Sequence, residues 1–163
     1  MLETAEPVTL RSVRADDEAF LLQVYASTRL DELASAAWDE AQREAFLRLQ
    51  FAAQQQHYQA HFPEADHQVI LLGDRPIGRL YVARNTDEVR ILDIALLPEQ
   101  RSSGVGSYII KEILAEAEKA EKPVRIYVES FNPSLRLFER LGFSPVQDIG
   151  THLLMEWRSP VNP

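Results

Sequence analysis

Apolar and polar positions divide the chain into short strands and amphipathic helices. Ile91, Leu92, Ile94, Ala95, Leu96 and Leu97 form a nearly continuous apolar run closed by Pro98, which predicts a buried strand, since the run is too short for an ordinary helix. From Val105 the period changes. Ile109, Ile113, Ala117 and Ala120 recur at helical spacing and Ile110 and Leu114 widen the stripe, while Lys111, Glu112, Glu116, Glu118 and Lys119 face water. Upstream, Val8, Leu10 and Val13 predict a first strand in residues 7–13. Asp16 or Asp17 is placed to cap a helix that carries Phe20, Leu21, Val24, Tyr25 and Thr28 on one side and stops before Ala34. Asp39 with Gln42 makes a capping box for a second helix running to about Tyr58, with Phe46, Leu47, Phe51 and Tyr58 as core contacts. Residues 52–56 read as a solvated face or as the rim of a substrate groove.

Residues 68–72 and 76–83 predict strands around a Gly73-Asp74-Arg75 turn, and Asn85-Thr86-Asp87 turns into the central strand. Three strands joined by short turns form an antiparallel meander. Residues 124–129, arriving after a helix, should instead run parallel to the central strand. Asn132 as N-cap and Pro133 at the first helical position start a short helix that packs Leu135, Phe138 and Leu141 and stops at Gly142. A last hairpin is expected near residues 143–147 and 151–157. No repeat, low-complexity tract or linker interrupts the chain, so residues 1–163 read as a single domain of the α/β (α+β) kind.

The chemistry concentrates in Gln100-Arg101-Ser102-Ser103-Gly104-Val105-Gly106, a small-residue loop that leads directly into a helix. Unpaired N–H groups at the positive end of a helix dipole make an anion cradle suited to phosphate, and the glycines allow close approach to the main chain. The loop is not a P-loop, because no Gly-Lys-Ser/Thr follows. It is not the full dinucleotide fingerprint either, because Ile109 stands where the third glycine belongs.

The order of buried strand, Arg101-x-x-Gly104-x-Gly106, amphipathic helix and second strand resembles the GNAT superfamily of acyl-CoA-dependent N-acyltransferases. Their signature is Arg/Gln-x-x-Gly-x-Gly/Ala after the fourth strand. A companion motif is present as Asn132-Pro-Ser-Leu-Arg-Leu-Phe138-Glu-Arg-Leu-Gly142-Phe143. The resemblance implies a mixed, mostly antiparallel sheet of about seven strands flanked by about four helices, with acetyl-CoA as co-substrate. It implies that Ile94, Ala95, Leu96 and Leu97 line the pantetheine arm and that Arg101, Ser102, Ser103, Gly104, Val105, Gly106 and Ser107 hold the diphosphate. It also implies that Asn132 binds the cofactor and that Phe138 packs against its sulfur end. The alternatives are that Ile94 and Leu96 are simple core and that Arg101 pairs with Glu99 on the surface.

The reaction implied is acetyl transfer to a primary amine. Relatives often carry a tyrosine acid where this chain has Phe138, which cannot donate a proton. Tyr127 is a candidate acid or base, or a strand tyrosine with a wet tip. Glu129 and Asp93 are the candidate bases. A carboxylate inside an apolar strand is costly unless paired, and Arg79 or Arg90 is available to pair with Asp93. His57, His61 and His67 match no zinc motif, so no metal is expected. A non-catalytic acyl-CoA-binding sensor or docking module is the competing reading.

Composition adds bounds. A net charge of −8 argues against a nucleic-acid binder, and with no cysteine there is neither a disulfide nor a thiol nucleophile. No leader pattern and no membrane-length apolar run is seen, so the expected setting is cytoplasmic. The expected partner is a small-molecule or peptide amine, with the chain a monomer or homodimer.

Overall fold

The computed structural model describes residues 6–29, 33 and 37–161. Among them the elements are β1 (Val8–Ser12), α1 (Glu18–Ser27), α2 (Glu40–His61), β2 (Asp66–Leu72), β3 (Arg75–Arg84), β4 (Val89–Leu96), α3 (Val105–Ala120), β5 (Val124–Glu129), α4 (Leu135–Arg140), β6 (Ser144–Asp148) and β7 (His152–Trp157). Short 3₁₀ turns cover Ala15–Asp17 and Pro98–Gln100. The seven strands follow the order β1-β2-β3-β4-β5-β7-β6. β1/β2, β5/β7 and β6/β7 pair antiparallel, and β4/β5 pair parallel, as the crossover through α3 requires. This is the expected mixed, mostly antiparallel sheet, with four α-helices among the described residues.

The chain divides into two compact units, Met1–Leu80 with Ile94–Arg101, and Tyr81–Asp93 with Ser102–Pro163. In the first, Leu21, Tyr25, Leu33, Leu47 and Phe51 form a buried cluster, with the Tyr25 and Phe51 rings 5.5 Å apart. α2 begins as expected: Asp39 Oδ1 accepts from the Gln42 N–H at 2.8 Å, and Gln42 Oε1 accepts from the Asp39 N–H at 2.9 Å. Within residues 52–56, Ala52, Ala53 and Gln56 are exposed as on a solvated face, whereas Gln54 and Gln55 are half-buried. They accept from the guanidinium of Arg79, which is 1% exposed and lies 5.6 Å over the Phe51 ring. In the second unit, Ile109, Ile110, Ile113, Leu114 and Ala117 of α3 are buried, as are Val124, Ile126 and Val128 of β5. β6 is an exposed edge strand, and its register slips between Pro145 and Gln147, where proline has no N–H to give the ladder.

Several expected details differ. Ala120 falls on the exposed side of α3, and Thr28 is exposed just past α1, its hydroxyl donating to Tyr25 O. The end of that first helix near Ala34 lies outside the described residues. α4 begins at Leu135, because Asn132 and Pro133 are spent on a turn in which Asn132 Oδ1 accepts from the Ser134 N–H at 2.8 Å. Asp17 does not cap α1 through its side chain. It receives the Arg14 N–H at 2.7 Å and both Arg11 Nη groups at 2.9 Å.

That Arg11 pair, helped by the Arg14 N–H, holds the Asp17 carboxyl down from 3.8 to about 2. A carboxyl lowered on folding stabilises fully above its unfolded value and loses that contribution as pH falls towards 2. Asp17→Asn is therefore expected to cost about 2 kcal/mol at pH 7. Tm curves of variant and wild type should converge as pH falls through the 4-to-2 window; a gap that persists unchanged at pH 2 would contradict this role.

Candidate functional site

The loop forms because β4 stops at Leu96 and the chain turns tightly. The Leu97 N–H donates to Ile77 O at 2.8 Å, Gln100 N–H to Leu97 O at 2.9 Å and Arg101 N–H to Pro98 O at 3.2 Å. Ser102 and Gly104 then take positive φ, 62° and 91°, and Gly104 serves as the N-cap of α3 without a side chain to cap it. The first bond back to this cap comes from the Tyr108 N–H to Gly104 O at 3.0 Å, so the N–H groups of Val105, Gly106 and Ser107 precede any intrahelical acceptor. Ser102, Ser103 and Gly104 are exposed, Gly106 and Ser107 half-buried and Val105 buried. A Cβ placed on Gly104 would meet nothing within 4 Å. Open space beside the first N–H groups of a helix, at its positive end, suits an anion.

Arg101 does not pair with Glu99. Its Nε donates to Leu96 O at 3.2 Å, and an Nη reaches Ser27 O at 3.4 Å and Ser27 Oγ at 3.3 Å. Its side chain thus ties the strand end to the last turn of α1. Ile94, Ala95 and Leu96 are half-buried rather than core, and Leu97 is buried. Sequence reasoning missed Gly78 on β3, where a Cβ would lie 2.3 Å from Ala95 O. A glycine inside a strand pattern is the signal for such a close backbone approach.

The parallel register runs Val89↔Val124, Arg90↔Arg125 and Ile91↔Ile126 and stops there. β5 continues on its other edge, pairing with β7 as far as Glu129↔His152. Tyr127, 41% exposed, is thus the first residue of β5 beyond the parallel ladder. Alternation puts Tyr127 and Glu129 on the face of Arg125, and cross-strand pairing adds Leu154 and His152 to it. The structure therefore brings Tyr127 and Glu129 together with His152, a residue the sequence did not single out because strand pairing is a tertiary fact. Asp93 alternates onto the face of Val89 and Ile91 instead. Arg79 donates to Gln54 and Gln55, and Arg90 to Glu88.

On the polar face, Glu88 Oε1 accepts from Arg90 at 3.2 Å and Arg125 at 3.0 Å, and Glu156 accepts from Arg125 at 2.8 Å and Arg158 at 2.9 Å. Burial pushes the Glu88 and Glu156 carboxyls up, but the guanidiniums outweigh it and both lie below the usual carboxylate range. Phe138 is 2% exposed and meets Phe143 edge-on, centroids 5.2 Å apart. Asn132 is exposed, with its side-chain oxygen engaged in the turn. His57 and His61 stack at 4.3 Å, and His61 Nδ1 lies 2.9 Å from His57 O. Among the described residues no three His, Asp or Glu side chains converge as a metal site would need, and no helix is long and apolar enough to cross a membrane.

The model of the acetyltransferase (GNAT) family matches residues 28–143. No curated protein sequence matches the chain. In fold the chain is similar to the PaiA N-acetyltransferase of Thermoplasma acidophilum in complex with coenzyme A, at 17% identity and TM-score 0.71 over 94% of this chain and 99% of that one. It is also similar to a GNAT family acetyltransferase of Elizabethkingia anophelis with acetyl-CoA bound, at 13% identity and TM-score 0.56 over 93% and 98% of the two chains. The ribosomal-protein-S18-alanine N-acetyltransferase of Escherichia coli aligns at 16% identity and TM-score 0.61 over 93% and 94%.

Proposed function

From the acetyltransferase (GNAT) family, to which this chain belongs, we propose that the protein acts as a single-domain N-acetyltransferase, moving an acetyl group from acetyl-CoA to a primary amine by direct attack on the thioester. The observation that carries the reading is the start of α3 at Gly104, which has no side-chain cap, so that the N–H groups of Val105, Gly106 and Ser107 fit a diphosphate. Ser102, Ser103, Gly104, Val105, Gly106 and Ser107 hold that group mainly through the main chain, since the Arg101 side chain is directed to Leu96 and Ser27. Ile94, Ala95 and Leu96, half-buried, and Leu97 receive the pantetheine arm. Asn132 binds the cofactor and Phe138 packs against its sulfur.

Bound acetyl-CoA supplies an electrophilic carbonyl and a thiol leaving group; the N–C bond forms as the C–S bond breaks. What the chain must add is proton management. A lysine-like amine is mostly protonated at neutral pH, and freeing it costs roughly 4 to 5 kcal/mol, whereas the thiolate's penalty is only about 2 kcal/mol. The base is therefore the greater need. Glu129 and Tyr127 share the polar face of β5 and are the side chains assigned to carry protons, Glu129 from the amine and Tyr127 to the sulfur. Asp93, on the other face of its strand, is the lesser candidate.

Mixing the protein with acetyl-CoA and a polyamine, an aminoglycoside, an amino acid or a lysine peptide should release free thiol with at least one of these classes. Tight coenzyme A binding without thiol release from any of them would overturn the enzyme reading in favour of a non-catalytic acyl-CoA-binding module.

A further inference from the structure

Tyr127 is a half-exposed strand tyrosine whose hydroxyl has no hydrogen-bond partner among the described residues, so ordinary core packing does not fix its rotamer. What lies against it is Arg90, with Cζ 5.2 Å from the ring centroid. The placement follows from a conflict of charge. Arg90 and Arg125 are directly opposite in the parallel register, and like charges so placed repel. Glu88, 8% exposed, relieves this by accepting from both through one oxygen. Arg125 is drawn away by Glu156, which accepts its Nε–H. Arg90, anchored at one Nη by Glu88, extends its remaining guanidinium surface over Tyr127.

Two features mark this as more than a surface contact. The Arg90 side chain is only 18% exposed, and a cation–π contact gains strength as water is removed. Its Nε–H is buried without an acceptor, a cost that a neutral side chain at this position would avoid. A planar guanidinium can be bonded at one edge and stacked on its face at once, which an ammonium cannot.

We infer that Arg90 is a positioning residue for Tyr127 in the acyl transfer proposed above: it clamps the ring so that the free hydroxyl is presented at the point where the β4–β5 ladder ends. The inference rests on that reading, and its consequence is that the phenol missing at Phe138 is supplied from β5 under the control of an arginine that touches no substrate.

Two measurements test it. By NMR, the Arg90 δ-protons should be shifted upfield by the Tyr127 ring, and the shift should persist in Tyr127→Phe and vanish in Tyr127→Leu. In steady-state kinetics with whichever amine is turned over, Tyr127→Phe should lower kcat about a hundredfold. Arg90→Met should lower kcat about tenfold with KM for acetyl-CoA unchanged. Combined, the two should be no worse than Tyr127→Phe alone, because Arg90 has no hydroxyl left to position. An Arg90→Met penalty of the same size in both backgrounds, or Arg90 protons at ordinary shifts, would overturn the clamp. Lack of turnover by the wild type with every amine would remove the acyl-transfer reading and the positioning role with it, while the upfield shift would still show the stack.

Discussion

Gly104→Glu is expected to lower coenzyme A affinity by at least about a hundredfold while the fold is retained. The site has room, since nothing lies within 4 Å of a Cβ at Gly104, so the new side chain displaces no packed atom. Its carboxylate would instead occupy the N-terminus of α3, satisfying the donors proposed for the diphosphate and repelling an incoming phosphate. One confounding cost must be separated. Gly104 sits at φ 91°, where any L-residue is strained by about 1–2 kcal/mol. Gly104→Asn is the control, because asparagine is among the residues that visit the left-handed region most readily. Calorimetric titration should find the Asn variant within about tenfold of wild type and the Glu variant without measurable binding. Wild-type affinity in Gly104→Glu would remove the phosphate-cradle assignment, and equal loss in both variants would trace the effect to backbone strain.

Gly78→Ala should be strongly destabilising. The added Cβ would stand 2.3 Å from Ala95 O, 2.9 Å from Leu96 Cδ2 and 3.1 Å from Leu96 Cα. Two of these are main-chain atoms of β4, which cannot move aside as a flexible side chain would. The neighbouring Leu97 N–H to Ile77 O bond, 2.8 Å long, holds the strands together at this point. Overpacking of this kind costs about 3 kcal/mol, or roughly 10 °C in Tm for a chain of this size. Because Ala95 and Leu96 are the residues proposed to receive the pantetheine arm, the folded fraction should also bind coenzyme A more weakly. Thermal melts and titration on the same sample read both effects. An Ala variant with unchanged Tm would mean that β4 yields freely here, and the argument for Gly78 as the spacer would fail.

The loop and its helix were legible because everything that makes them lies within a few residues in sequence. Gly104 is a left-handed N-cap for local reasons, and the spacing of Ile109, Ile113 and Ala117 sets the buried face of α3 without reference to any other element. The capping box of Asp39 and Gln42 is equally local. Asn132 shows the boundary of that logic: Asn-Pro is a good helix start by propensity, but the same side chain closes a turn two residues earlier, and α4 is shorter by that amount. Arg101 shows it again, since its nearest acidic neighbour in sequence lost to two carbonyls and a hydroxyl brought near by folding.

The sequence by itself determined the order of elements, the glycine-bearing loop before α3 and hence the family, because periodicity, caps and glycine positions act over single turns of chain. Only the tertiary structure decided which groups meet: that Tyr127 lies just past the last parallel pair, that Arg90 covers its ring and that His152 faces Glu129, all on the polar face, and that Gly78 abuts Ala95 on β4. Those neighbours come from strands far apart in sequence, and their alignment depends on register. A slip of one residue would turn each of these side chains to the opposite face, so strand pairing, which no local pattern specifies, decides which side chains meet.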